Sequence, residues 1–150
     1  MWFREWAGPF GGLKDAVVAA WDGVRQLASG QREHVYFTAA GGDPLYVARM
    51  NLMLFAFLVL AAIALAGAIR RLPLAYSAYV VAALALPLSY PVGPQPLMSL
   101  PRFELVLFPL WMWWGWWLSR HPRARLPLLV ASGALMVVFA AQFATFHWVA

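Results

Sequence analysis

Residues 91–104 read PVGPQPLMSLPRFE and separate two long apolar runs of the chain. Four prolines stiffen this central loop, and its polar candidates for function are Gln95, Ser99 and Arg102. Ser99 stands before a Leu-Pro pair, which predicts a helix capped by serine, because proline fits a first helical turn. Arg102 then falls in that first turn, where a cation is unfavourable to the helix dipole by roughly a few tenths of a kcal/mol.

Two interpretations explain a cation at this position. Arg102 and the free N–H groups of the helix can together hold an anion such as a phosphate. Alternatively, Arg102 lies at the end of a membrane span and extends its long side chain to the lipid headgroups. The residues of the loop do not distinguish between an anion site and a lipid anchor.

The composition predicts an integral membrane protein. Of 150 residues, 63% are hydrophobic and 11% are charged, with a mean hydropathy of +0.68. The net charge of +5 does not indicate nucleic acid, because the basic residues lie between apolar runs and not on one solvated face. The chain has no cysteine, and its three histidines show no paired ligand spacing, so we expect neither a metal site nor a cofactor.

Residues 1–46 are predicted to form an amphipathic helix followed by a polar loop. Apolar residues recur at steps of three and four, at Phe10, Leu13, Val17, Trp21, Val24 and Leu27. This face can lie in the lipid interface, with Trp2, Trp6 and Trp21 as anchors, or pack against a neighbouring domain. Ser29 and Gly30 end the helix. In the loop, His34 and Asp43 are interpreted as solvated residues and not as an acid–base pair.

Residues 47–150 are predicted to cross the membrane four times, because about 20 apolar residues span a hydrocarbon core of roughly 30 Å. The spans are 50–69, 74–90, 103–119 and 126–146. Trp111, Trp113 and Trp114 lie deep in the third span, where they either line a groove for a lipid chain or pack between helices. The predicted fold class is an all-α polytopic membrane protein with an extracytoplasmic amphipathic helix before four transmembrane helices.

The distribution of charge predicts the orientation. The short segments 70–71 and 120–125 hold five arginines and no acid, whereas the segment through Arg49 holds five basic and five acidic residues. The positive-inside rule places the two short segments in the cytoplasm. The N-terminal segment, the central loop and the C-terminus are then extracytoplasmic in a multi-pass protein of the cell membrane.

Several stretches resemble the C-terminal region of bacterial PIG-V-like mannosyltransferases. The main one is PVGPQPLMSLPRF at 91–103, followed by LFP at 107–109. QFATFHWV at 142–149, and GPFGG at 8–12 leading into WDG at 21–23, look like the same family. Because only the C-terminal part of a family member is covered, we expect the catalytic N-terminal part to be missing and the chain alone to be inactive.

The resemblance implies a membrane glycosyltransferase of the GT-C type. Such an enzyme moves a sugar, here mannose, from a polyprenyl-phosphate donor to an acceptor on the extracytoplasmic face. The implied partners are membrane lipids and the polyprenyl-phosphate-linked sugar. Arg102, Ser99 and Gln95 are the candidate contacts to the lipid phosphate. No residue matches the family's catalytic acids, and Glu104 is interpreted as an acid that favours a helix N-terminus.

A different class of function fits the same sequence. A complete small four-span scaffold, or an accessory subunit of a transporter or envelope machine, needs no catalytic carboxylate pair and no metal ligands. The sequence therefore allows both a glycosyltransferase and a scaffold.

Overall fold

The computed structural model describes residues 5–30, 45–93 and 95–144, and its regular elements are all helices. They are α1 (Gly12–Ser29), α2 (Tyr46–Ile69), α3 (Leu74–Ser89), α4 (Leu100–Val106), α5 (Phe108–Arg120) and α6 (Pro122–Ala144). The predicted all-α class is confirmed for this part of the chain.

Helix α2 is the centre of the molecule, because it contacts α1, α3, α4 and α5. Its buried residues recur at steps of three and four, at Ala48, Asn51, Leu54, Leu58, Ala61, Ala64 and Ala68. The small residues in this row let neighbouring helices approach closely. Leu54, Val80, Leu100, Leu107 and Pro109 are the largest fully buried side chains. The core therefore combines α2 and α3 with the short helix α4 and the start of α5.

Helix α1 lies across one end of the α2–α3 hairpin. A Cβ on Gly12 would lie 2.7 Å from the carbonyl oxygen of Leu88, and one on Gly23 would lie 3.0 Å from that of Ala48. The buried face of α1 consists of small residues, Gly12, Ala16, Ala20 and Gly23. The helix ends as predicted, with Gly30 at φ 65° and its N–H donating to the Gln26 carbonyl.

The predicted apolar face of α1 points away from the other helices. Val17 and Trp21 are 55% and 64% exposed, and Leu13, Val24 and Leu27 are also exposed. The periodicity is therefore correct, but a different face holds the helix to the molecule. Small side chains allow backbone contact with α2 and α3, which larger apolar residues would prevent.

The third predicted span is not one continuous helix. It divides at Leu107, with φ −84° and ψ 70°, into α4 and α5. Pro109 explains the break, because it has no N–H for the Leu105 carbonyl and its ring crowds the preceding turn. At 13 residues, α5 is roughly 20 Å long and does not by itself cross a hydrocarbon core of about 30 Å.

The other spans agree in position but differ at their boundaries. Helix α2 begins at Tyr46, before the predicted start, and α6 begins at Pro122, so most of the predicted basic loop is helical. Among the described residues, α2 and α6 are long and apolar enough to cross a membrane. These two helices support a membrane protein, whereas α3 and α5 are shorter than the usual span.

The two arginine-rich segments meet at one end of the molecule. The guanidinium of Arg71 lies 4.5 Å from the centroid of the Trp116 ring, and that of Arg120 lies 5.3 Å from it. Both distances allow cation–π attraction. Arg125 donates to the carbonyl oxygens of Leu118 and Ser119 and so ties α6 to the end of α5. Helix α1 and the central loop lie at the opposite end of the α2–α3 hairpin.

Candidate functional site

A cleft separates α6 from the face formed by α2, α4 and α5. It consists of two adjoining cavities, with volumes of about 620 Å³ and 430 Å³. The residues that line both cavities are Phe57, Glu104, Trp111, Ser132 and Leu135. We refer to the two cavities together as the α6 cleft. Apart from Glu104, Ser132 and Arg102, its described walls are apolar, aromatic or glycine.

The α6 cleft is long as well as apolar. Along α6 its lining extends from Leu128 to Ala140, which is roughly 18 Å at 1.5 Å per residue. That length is more than half of a hydrocarbon core of about 30 Å. The shape and chemistry therefore suit an extended hydrocarbon chain better than a compact polar molecule.

Glu104 is the acidic residue of the cleft. The residue lines both cavities and is 6% exposed, and its side-chain atom Oε1 is buried without a hydrogen-bond partner. The backbone of Glu104 is fixed, because its carbonyl oxygen accepts hydrogen bonds from Trp111 Nε1 and from the N–H of Leu107, both at 3.1 Å. Burying a polar group without a partner is costly, and such groups inside membranes mark functional sites.

The sequence does not predict this role for Glu104. As an acid it is expected to favour a helix N-terminus, whereas the structure buries the residue at the cleft lining. One signal was available, because Glu104 is the only acidic residue after Asp43. A lone acid among apolar residues is a candidate for a functional site.

Arg102 lines the larger cavity and is exposed. The prediction that free N–H groups of the helix hold an anion together with Arg102 is wrong. The N–H of Leu100 donates to the Leu97 carbonyl, and the N–H groups of Arg102 and Phe103 both donate to the Ser99 carbonyl. Pro101 has no N–H. The first turn of α4 therefore uses its own N–H donors, and of the two predicted parts of an anion site only Arg102 lies at the cleft.

The other two predicted phosphate contacts are not part of the cleft lining. Ser99 is at the N-cap position of α4, as predicted, but it makes no side-chain capping bond and has φ 71°. A serine cap needs an extended backbone conformation, which this left-handed one is not. Gln95 is 5% exposed and lies within the packed central loop. Of the three candidates, the structure places only Arg102 at the cleft.

The tryptophans of α5 divide between the two roles left open by the sequence. Trp111 and Trp114 line the α6 cleft. Trp113 packs against α2, where its indole ring occupies the space beside Gly67 that a Cβ would need. One helix therefore supplies both the aromatic wall of the cleft and a close contact to the core.

The remaining sequence candidates that the structure describes form no second site. His121 stacks on Trp117 with ring centroids 4.3 Å apart. Within residues 5–30, 45–93 and 95–144, no three His, Asp or Glu side chains are grouped in a way that could hold a metal ion. Four further residues lie outside the described part of the chain, namely Trp2, His34, Asp43 and His147.

Comparison with known proteins adds no family to this description. The chain matches no protein-family model, no curated protein and no solved structure at a significant level. The resemblance to PIG-V-like mannosyltransferases therefore stays a prediction. The α6 cleft, with Arg102 exposed along its lining and Glu104 buried within it, is the best-defined candidate site of the described chain.

Proposed function

We propose that this chain is the membrane portion of a glycosyltransferase that uses a polyprenyl-phosphate-linked sugar, with mannose as the expected sugar, on the extracytoplasmic face. One observation carries the proposal, namely the long apolar α6 cleft with an arginine along its lining. A polyprenyl-phosphate donor has the matching chemistry, a long hydrocarbon chain that ends in an anionic group. The residues that would carry out sugar transfer are not assigned to this chain.

The proposed arrangement crosses the membrane four times. Helices α2, α3 and α6 form three crossings, and α4 and α5 form the fourth together. Two local hydrogen bonds support the break within this crossing: the N–H of Leu107 donates to the Glu104 carbonyl, and that of Leu110 donates to the Leu107 carbonyl. The apolar surface of α6 would then face lipid. Its most exposed side chains include Leu126, Leu129, Val130, Met136 and Val137.

Helix α1 would lie in the outer lipid interface. Its small-residue face is held by the ends of α2 and α3, and its larger apolar side chains, including Val17 and Trp21, are exposed. The segment before α1 is fixed to the same end, because the N–H of Ala7 donates to the Ser89 carbonyl and that of Phe10 to Ser89 Oγ. A fixed interfacial helix would hold the central loop at the depth where lipid phosphates lie.

In this proposal the polyprenyl chain fills the α6 cleft and Arg102 contacts its phosphate. The polyprenyl chain comes from the bilayer and not from water, so burial of its CH₂ groups adds little affinity, and packing against the cleft walls positions the chain. The guanidinium supplies orientation, because its planar fork can donate two hydrogen bonds to phosphate oxygens at once. Trp111 and Trp114 would form the aromatic wall against which the chain packs.

Substitution of Arg102 tests the proposal. In lipid nanodiscs, Arg102→Ala should weaken saturable binding of polyprenyl phosphate by roughly ten- to a hundredfold, because a charged hydrogen bond contributes about 1.5–3 kcal/mol. Arg102→Lys should lie between the wild type and Arg102→Ala, since lysine keeps the charge but loses the fork. Native mass spectrometry of the purified chain against a titration of polyprenyl phosphate gives the affinities.

Arg123→Ala is the matched control, because Arg123 is also exposed but stands at the first turn of α6, beyond the cleft lining. It should bind polyprenyl phosphate like the wild type. Equal affinities for Arg102→Ala and Arg123→Ala would remove Arg102 from the site and leave it as a lipid anchor. An absence of saturable binding to the wild-type chain would instead favour a scaffold or accessory subunit without a donor site.

A further inference from the structure

We propose that Glu104 is a polar recognition point inside the α6 cleft and that it binds the hydroxyl group of a long-chain lipid alcohol. The inference concerns the cleft alone and does not rest on the glycosyltransferase proposal. It starts from a carboxyl group that the fold buries without giving Oε1 a partner. A ligand that supplies the missing hydrogen bond would remove this cost.

The position of Glu104 fits a ligand that enters the cleft. Glu104 is one of the residues shared by the two cavities, so a chain that passes from one to the other contacts this residue. Ser132 of α6 also lines both cavities and adds a second polar residue to the site. The surrounding walls include Phe57, Trp111 and Leu135, which offer no charged partner.

The charges around the cleft select the kind of polar group. Arg102 lines the same larger cavity, and its positive charge opposes a second cation in a site of low polarity. An anionic group would be attracted to Arg102 but repelled by an ionised Glu104. A hydroxyl group is neutral, and it can both donate and accept a hydrogen bond, so it satisfies the carboxyl group whether or not that group is ionised. A neutral lipid alcohol is therefore the ligand class that the cleft accepts at Glu104.

The test compares two probes of equal chain length, a diazirine-bearing hexadecanol and a diazirine-bearing hexadecane, on the full chain in nanodiscs. Photo-adduct yield against probe concentration gives an apparent affinity for each probe, and peptide mapping locates the adducts. We expect the wild type to favour the alcohol by roughly three- to tenfold, the effect of one neutral hydrogen bond at a buried group. Adducts should fall on the lining of the α6 cleft, for example on Trp111 and Phe139.

Two variants of Glu104 separate hydrogen bonding from general structure. Glu104→Gln should keep the preference for the alcohol, because its amide also donates and accepts. Glu104→Leu should bind both probes equally, and its labelling by the hexadecane probe shows that the cleft has formed. A wild type without preference, or a Glu104→Leu variant that retains it, would overturn the proposal. Stronger labelling by a matched hexadecylamine probe would overturn the choice of hydroxyl.

Discussion

Replacement of Gly67 by alanine should destabilise the protein by about 3 kcal/mol, although alanine normally favours a helix over glycine by about 1 kcal/mol. A Cβ at this position would overlap the indole ring of Trp113, which packs against the core. The ring cannot move freely, because it also makes an edge contact with Trp114 at a centroid distance of 5.0 Å. Reversible unfolding in mixed detergent micelles, followed by tryptophan fluorescence, measures the change in the free energy of unfolding.

Gly115→Ala is the matched control for this prediction. Gly115 lies in α5, and a Cβ there would meet no heavy atom within 4 Å. Alanine at this position should leave the free energy of unfolding unchanged or raise it by up to about 1 kcal/mol. If both variants had the same stability as the wild type, the packing of α5 on α2 described above would be incorrect.

Labelling of single cysteines should give an all-or-none pattern for the two ends of the molecule. The chain has no cysteine of its own, so each substitution provides one thiol. Ser29→Cys in α1 and Gly93→Cys in the central loop should react with an impermeant maleimide in intact cells. Ser119→Cys, beside the arginine-rich end, should react only after the membrane is opened. All three positions are exposed, so a difference in reaction reports sidedness and not burial.

The physical reason for this pattern is the distribution of arginine. Arg71 and Arg120 flank one Trp116 ring, so the proposed topology puts the two arginine-rich segments on the same side of the membrane. Reaction of Ser119→Cys alone in intact cells would invert the proposed orientation. Reaction of all three variants in intact cells would contradict a membrane-spanning chain.

The helices could be predicted because the residues that specify each helix are close together in the sequence. Apolar runs bounded by arginine or proline predicted α2, α3 and α6, and Gly30 correctly ended α1. The contact face of α1 was not predictable from hydrophobicity, because the helix is held by Gly12, Ala16, Ala20 and Gly23. Those residues contribute little to an apolar pattern, and their value lies in their small size.

The site was less predictable than the fold, because its parts come together only in three dimensions. The α6 cleft combines residues of four helices, from Met53 to Ala140, and no spacing in the sequence relates them. Pro109 signalled an irregularity, but a proline inside an apolar run can bend a helix or divide it. The division at Leu107 places α4 so that Glu104 is buried, a result that needed the tertiary structure.

The proposed function depends most on whether a polyprenyl chain occupies the α6 cleft, and protection of a single thiol measures this directly. Ser132→Cys places a thiol of similar size in the cleft lining, whereas Val130→Cys places one on a surface of α6 that is 62% exposed. Each variant in nanodiscs is treated with a lipid-soluble maleimide, with and without polyprenyl phosphate. If the proposal is correct, polyprenyl phosphate slows the reaction at residue 132 and leaves the rate at residue 130 unchanged. Equal rates at residue 132 with and without polyprenyl phosphate would contradict it.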